Sequence, residues 1–285
     1  MAQISPHHPG SSSQRRERHT DARTDNMEDF RIHSMLLTGS DRGIGLGLVE
    51  QFLQLPYPPQ LIFATCRHPD GPEGQVLKEM ARRYSNVSTL VLLQLDVTDP
   101  HSIKEAAKKV EERVAGCGLN LLINNAAIAC ETTLSSENAQ NMLSVYATNT
   151  TGPMLVCQAF LPLLKTAARK SRQSGMSCSK AAVVNMSSSY GSISLVDGWE
   201  WRQDISYRCS KAALNMLTCC QSLGYGPWGI LCVSIHPGGV KTHLGVEQGV
   251  LSVATSTRGI IQVLSRLSAQ DNGTFLDWEG KTVAW

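Results

Sequence analysis

Short apolar runs alternate with longer stretches of helical spacing along this chain from Ser34 onward. Leu36 to Gly39 predicts a first strand, and a helix from about Ile44 to Leu55 follows until Pro56, Pro58 and Pro59 stop it. Leu61 to Cys66 predicts a second strand, Glu73 to Tyr84 a helix, and Thr89 to Leu95 a third strand. Thr98-Asp99-Pro100 then opens a helix reaching about Ala115, with Pro100 suited to its first turn. After a strand at Leu119 to Asn124, a long helical stretch from about Glu137 to Ala168 is interrupted near Asn149 to Pro153. Ala181 to Met186 and Ile230 to Ile235 predict strands on either side of a helix at Ser206 to Leu223. A helix from Gly249 to Leu267 and a short strand at Thr274 to Asp277 complete the pattern. Strands apolar on both faces, each followed by a helix, mean an α/β fold: a single doubly wound domain over residues 34–285, with a mostly parallel seven-stranded sheet and helices on both faces.

Ahead of that pattern, residues 1–33 are rich in Ser, His, Pro, Arg and Asp and lack apolar periodicity, which predicts a disordered extension. Arg15, Arg16 and Arg18 faintly suggest a mitochondrial presequence, but Glu17, Asp21, Asp25, Glu28 and Asp29 argue against it. Met27 offers an alternative start. The stretch Lys165 to Lys180 reads as a solvated loop.

Composition narrows the function. With 42% hydrophobic and 18% charged residues over 285 positions, this is an ordinary globular composition. A net charge of +2 from scattered basic residues gives no reason to expect nucleic acid. No apolar run approaches the ~18 residues that would span a membrane; Gln94, or Asn124 with Asn125, interrupts the longest candidates. Nine cysteines without C-x-x-C or other metal-ligand spacing predict free thiols, no metal and a reducing, cytoplasmic setting. Cys209 is the one to follow, because it lies between two candidate catalytic residues.

The first strand leads into Thr38-Gly39-Ser40-Asp41-Arg42-Gly43-Ile44-Gly45, a turn that opens a helix. Glycines there let the backbone turn tightly, and the N–H groups and positive dipole end of the helix suit a pyrophosphate. The spacing G-x-x-x-G-x-G differs from the usual G-x-G-x-x-G of dinucleotide-binding domains. Farther on, Tyr207 and Lys211 stand four apart on one face of a predicted helix. A phenol with a reference pKa of about 10 is a poor proton shuttle near neutrality, and an adjacent ammonium lowers that pKa. Tyr207 is then a candidate general acid for a carbonyl oxygen that receives hydride, with Lys211 also free to hold a ribose. Ser187, Ser188 and Ser189 follow the fifth strand, at the sheet edge where an open α/β fold binds ligand.

Thr38-Gly39-x-x-x-Gly43-x-Gly45, Asn124-Asn125-Ala126, Asn149, Ser188 followed by Gly191, Tyr207-x-x-x-Lys211 and Pro237-Gly238, in this order, resemble the short-chain dehydrogenase/reductase family. The resemblance covers about Ser34 to Trp285 and implies a Rossmann-type catalytic domain. The run from Tyr207 to Asn215, His236-Pro237-Gly238 with Val240-Lys241-Thr242, and Asp277-Trp278-Glu279-Gly280 further resemble the sniffer-like carbonyl reductases and the bacterial C-factor relatives. By that resemblance Tyr207 is the acid/base, Lys211 its pKa modulator and a ribose ligand, Ser188 the group that polarises the substrate carbonyl, and Asn149 the holder of a relay water. Gly191, at the family's spacing, favours Ser188 over Ser187. Cofactor contacts are implied for Gly39, Ser40, Arg42, Gly43, Ile44, Gly45, Arg67, Asn125, Ala126, Pro237, Gly238 and Val240, with Asp96 and Val97 at the adenine and Thr242 at the nicotinamide amide.

The cofactor's identity also has a local argument. Where users of NAD carry an acid after the second strand, this chain has Cys66 and Arg67, with Arg42 inside the glycine turn. Two guanidinium groups and no carboxylate favour the 2′-phosphate of NADP(H). The expected function is NADPH-dependent reduction of a small-molecule ketone, aldehyde or quinone by a possible homo-oligomer; the rival is an NADP(H)-binding sensor with incidental catalysis. Two departures from the family pattern are Ala127 in place of a glycine and Gly239 in place of a bulky residue. Trp199, Glu200, Trp201 and Arg202, between Ser188 and Tyr207, either border the substrate pocket or pack on the surface.

Overall fold

The computed structural model of the protein describes Met27, residues 30–242 and residues 250–285. Seven strands form one sheet in the order β3-β2-β1-β4-β5-β6-β7. They are β1 (Ser34–Thr38), β2 (Leu61–Cys66), β3 (Thr89–Gln94), β4 (Leu121–Asn124), β5 (Ala182–Met186), β6 (Leu231–His236) and β7 (Phe275–Asp277). Every neighbouring pair is parallel, so the expected mostly parallel sheet is wholly so. The helices between them are α1 (Gly43–Leu53), α2 (Pro72–Arg83), α3 (Pro100–Val114), α4 (Ala139–Tyr146), α5 (Gly152–Lys170), α6 (Ile205–Tyr225) and α7 (Val253–Arg266).

Alternation within each strand divides the core in two. Leu37, Ala64, Ile123, Val184 and Val233 face α1 and α7, where Leu48, Phe52, Ile260 and Leu264 are buried. Leu36, Phe63, Leu122, Val183 and Cys232 face the other way, against Val110 of α3 and Val156, Phe160 and Leu164 of α5. A central sheet covered on both faces leaves its carboxyl edge as the open crevice. The order of strands reverses between β1 and β4, which places the switch point at Thr38 and Asn124.

Several expected boundaries move. Phe30 and Ile32, assigned to the N-terminal extension, are buried in the core beside Phe52; the Phe30 ring lies 6.5 Å from that ring, tilted by 33°. The rest of the extension lies outside the described residues, apart from Met27, which packs against the same core. The interruption of the long helix is a π-helical turn, Ala147–Thr151, and the helix before it starts at Ala139, capped by Asn138. Helix α5 continues to Lys170, so only the later part of the Lys165 to Lys180 stretch is loop. Helix α7 starts at Val253, with Ser252 accepting from Thr255 N; Gly249, its expected start, lies outside the described residues.

Candidate active site

The glycine turn is braced from β4. Thr38 Oγ1 accepts from Asn125 N and Ala126 N at 2.9 and 3.0 Å, and Asn125 Nδ2 donates to the carbonyls of Thr38 and Gly39 at 3.0 and 2.9 Å. Gly39 and Gly43 both have positive φ, 64° and 51°. A Cβ on Gly45 would lie 2.0 Å from Gly39 O and 2.8 Å from Asn125 Nδ2, so no side chain fits there. Arg42 precedes α1 without capping it through its side chain, and the first turn carries no acidic residue. Neither a capping side chain at Arg42 nor an acid in the first turn competes for the N–H groups there, which suits an anion site. Thr242 lies close by, its methyl 3.5 Å from where a Gly43 Cβ would be. Val240 bridges to Leu251, which brings together the chain on either side of residues 243–249.

Ser40 departs from expectation. Its side chain is fully buried, donating to Leu37 O at 2.8 Å and accepting from Thr65 N at 3.2 Å, so the hydroxyl ties β1 to β2 instead of facing the crevice. Arg42 and Arg67 are exposed beside the ends of β1 and β2. Asp96 follows β3, where its Oδ1 accepts from Thr98 N at 2.8 Å and Thr98 Oγ1 at 2.7 Å. Burial pushes that carboxyl up, but the Thr98 hydrogen bonds and the charges of Arg67 and His68 outweigh it and hold its pKa low. Val97 is buried next to it, against Gly152.

The other half of the crevice is built on β5, α6 and the π turn. The Ser188 side chain, which accepts from Tyr190 N at 3.2 Å, is close enough to Tyr207 to act on its pKa, and Lys211, one helical turn along, has its Nζ 5.5 Å from the Tyr207 ring centroid. Ser187 is not equivalent: it is buried and donates to Asn215 Oδ1 at 2.6 Å. The turn from Ser188 to Gly191 is pinned from two elements. His236 Nδ1 accepts from Ser189 N at 3.1 Å, and Asn215 Nδ2 donates to Gly191 O at 3.3 Å. A Cβ on Gly191 would meet the Lys211 carbonyl carbon at 2.7 Å, which explains a glycine at that position. Asn149, in the π turn, is fully buried; it exchanges hydrogen bonds with the backbone of Ile128 at 2.8 and 2.9 Å and donates to Ser210 Oγ at 3.0 Å. Its side chain thus holds the helix pair together.

The electrostatics differ from expectation. Burial pushes the Tyr207 phenol up to about 12, against the opposing hydrogen bond from Ser188, and burial pushes Lys211 down to about 7. The Lys211 ammonium donates to Met186 O at 2.7 Å, and no carboxylate offsets its desolvation. Desolvation thus outweighs any lowering of the phenol by this lysine, because both groups are withdrawn from water in the same cleft. Burial also pushes His236 down to about 4, which suits an Nδ1 that must stay unprotonated to accept from Ser189.

Sequence reasoning missed Glu137, Asn215, His236 as a support and Arg208. Glu137 accepts from Thr132 Oγ1 at 2.6 Å, Ser206 N at 2.9 Å and Asn138 N at 2.9 Å. Burial raises its pKa, but these bonds outweigh it and hold the group at about 2. Glu137 so caps the start of α6, where Asp204 offers no side-chain cap. Only the capping-type spacing before a helix hinted at any of this. Cys209 is exposed, away from the face shared by Tyr207 and Lys211. Trp201 is 84% exposed, whereas Trp199 is half-buried beside the Arg208 guanidinium, so the two tryptophans divide between surface and packing.

Comparison with known proteins agrees with this geometry. The short chain dehydrogenase family profile matches residues 33–249. An NADPH-bound carbonyl reductase from chicken fatty liver is 52% identical, covers 90% of this chain and 100% of its own, and superposes with a TM-score of 0.85. The carbonyl reductase Sniffer of D. melanogaster is 38% identical, with 89% and 100% covered and a TM-score of 0.83. The C-signal of Myxococcus xanthus is 32% identical over 59% of this chain and 93% of its own. Estradiol 17-beta-dehydrogenase 2 of Mus musculus is 31% identical over 76% of this chain, which spans about half (50%) of that longer protein. A wholly parallel sheet, a braced glycine turn at its switch point and a Ser-Tyr-Lys cluster across the same crevice meet in one family, and this chain belongs to it: the short-chain dehydrogenases.

Proposed function

We propose that the protein is an NADPH-dependent carbonyl reductase that reduces a small-molecule ketone, aldehyde or quinone, with Tyr207 as the proton donor. The observation that carries this reading is the juxtaposition of Ser188, Tyr207 and Lys211 at the carboxyl edge of the sheet, where the Ser188 side chain opposes the burial-driven rise of the Tyr207 pKa and Lys211 Nζ lies 5.5 Å from the Tyr207 ring centroid. The glycine turn fits a dinucleotide: it leaves no room for a side chain at Gly45, and its helix start has neither a cap from the Arg42 side chain nor an acidic residue in its first turn. Arg42 and Arg67, with Cys66 instead of an acid at the end of β2, favour a 2′-phosphate, in keeping with the NADPH in the chicken enzyme. When bound, the reduced nucleotide supplies the hydride.

The chain's own residues do the rest. Ser188 orients the carbonyl oxygen, and Tyr207 gives that oxygen its proton as negative charge develops. Lys211, anchored on Met186 O, presents its remaining donors to the ribose and, when charged, favours the phenolate that the transfer leaves behind. Asn149 sets the π turn against Ser210 of α6 and so positions the relay side of the site.

No helix among the described residues is long and apolar enough to cross a membrane, and nine free thiols suit a reducing compartment, so we assign the reaction to the cytoplasm. Exposed Leu143, Met216 and Leu223 on α4 and α6 support a homo-oligomer. The test is titration of the purified protein with NADPH and NADH, then loss of reduced-nicotinamide absorbance with a panel of aldehydes, ketones and quinones. Tyr207→Phe should retain NADPH and lower turnover by about 10²- to 10⁴-fold. Tight NADPH binding with no turnover on any carbonyl would instead favour a sensor, the reading that the likeness to the Myxococcus C-signal suggests.

A further inference from the structure

We propose that Arg208 is a positioning residue for this site: its guanidinium clamps the insert between Ser188 and Tyr207 and, through Tyr190, holds the Tyr207 ring in place. The inference rests on the reading of Ser188 and Tyr207 as the reacting pair.

Arg208 follows Tyr207 in α6, and it is 8% exposed. A guanidinium is rarely buried without a dense set of acceptors. Here the hydrogen-bond acceptors are all main-chain carbonyls of one segment. Nε donates to Gln203 O at 2.7 Å, while Nη2 donates to Asp197 O at 2.6 Å and Arg202 O at 2.9 Å. The planar cation also lies over the Tyr190 ring, with Cζ 3.9 Å from its centroid, and 5.8 Å from that of Trp199. Tyr190 in turn meets the Tyr207 ring edge-on, at 6.5 Å and 75°. Gly198, with φ 65°, lets the insert touch Tyr190, since a Cβ there would lie 2.8 Å from the tyrosine hydroxyl.

The clamp matters because of where the insert begins and ends. It runs from the turn that follows β5 to the first turn of α6, so its seating bears on how the Tyr207 ring faces Ser188. A second fastening, from Ser194 N and Oγ to Trp285 O at 2.9 and 2.6 Å, holds its far side. Only a planar, forked donor can reach several divergent carbonyls and stack on a ring at once. A lysine at this position would keep the charge and lose that arrangement.

The test compares wild type, Arg208→Lys and Arg208→Met by three measurements: NADPH affinity from fluorescence titration, kcat and KM on the best carbonyl of the panel, and amide hydrogen exchange over residues 192–203. Both variants should bind NADPH within about twofold of wild type, since no cofactor contact depends on Arg208. They should lose about 10- to 100-fold in kcat/KM, the cost expected of slight misplacement of reacting groups. Exchange over the insert should accelerate while that of β1 and α1 stays unchanged. Unchanged kcat/KM in both variants, or a loss matched by lost NADPH affinity, would overturn the assignment. If the wild type reduced no carbonyl, the proposed function would fail, and unchanged exchange over the insert would separately reject the clamp.

Discussion

Replacing Lys211 by Met should change how the stability of the protein depends on pH. Lys211 is 3% exposed, has Met186 O as its acceptor, and is pushed by burial from 10.5 to about 7. Its folded pKa lies below its unfolded one, so between these values the unfolded chain binds the extra proton. Stability therefore rises with pH across that window. From pH 6.5 to 9 the loss of that proton relieves a desolvation penalty of roughly 2 to 3 kcal/mol. The assay is urea unfolding of wild type and Lys211→Met, without added nucleotide, at half-unit steps over that range. The difference between the two proteins cancels the buried cysteines, whose raised pKa values act in the opposite sense at alkaline pH. Tyr207, pushed up to about 12, contributes only above about pH 10. Wild type should gain on the variant steadily as pH rises. A difference constant to within a few tenths of a kcal/mol would mean that Lys211 keeps an ordinary pKa, and that its burial is compensated by something other than one carbonyl.

Other substitutions test the remaining parts of the site. Glu137→Ala removes the cap from Ser206 N and should cost about 1 to 2 kcal/mol in urea unfolding at neutral pH; because Glu137 is held at about 2, its contribution is complete above the ordinary 4.5 and fades as pH falls towards 2, so the gap between variant and wild type should close with acid. Gly45→Ala must displace Gly39 O, which a Cβ would approach to 2.0 Å, and should cost about 1 to 3 kcal/mol of stability as well as NADPH affinity. Unchanged affinity by fluorescence titration would place the phosphates elsewhere. Arg42→Ala and Arg67→Ala should each weaken NADPH by about tenfold or more while NADH changes little; equal losses for the two nucleotides would remove the argument for a 2′-phosphate site.

The strands and most helices were legible because each buries an apolar face with its own period. Residues such as Leu36 and Leu37, or Val183 and Val184, need both sides of a sheet covered, and that alone implies helices above and below. The glycine turn and the Tyr207–Lys211 pair were legible for the same local reason, since their spacing is set by a turn and by one helical repeat. Helix starts were less so: α4 begins at Ala139 with Asn138 as its cap, and Glu137, the expected start, lies outside it with its carboxylate bonded to α6. Phe30 and Ile32 were misassigned because two apolar residues among polar ones carry no period, and only the neighbouring Phe52 shows that they are core.

What the sequence by itself determined is the order of elements, the sheet's class and the residue types at the crevice, all of which follow from interactions within a few residues. What the tertiary structure decided is how those residues are held and charged. Ser40 turned inward, Ser187 went to Asn215 while Ser188 met Tyr207, and Arg208 found three carbonyls of an insert. It also decided that Tyr207 and Lys211 shift in opposite directions, up and down. The reason is that a pKa and a buried hydrogen bond depend on how much water the surrounding elements exclude, and that exclusion exists only after β5, β6, α4 and α6 have come together.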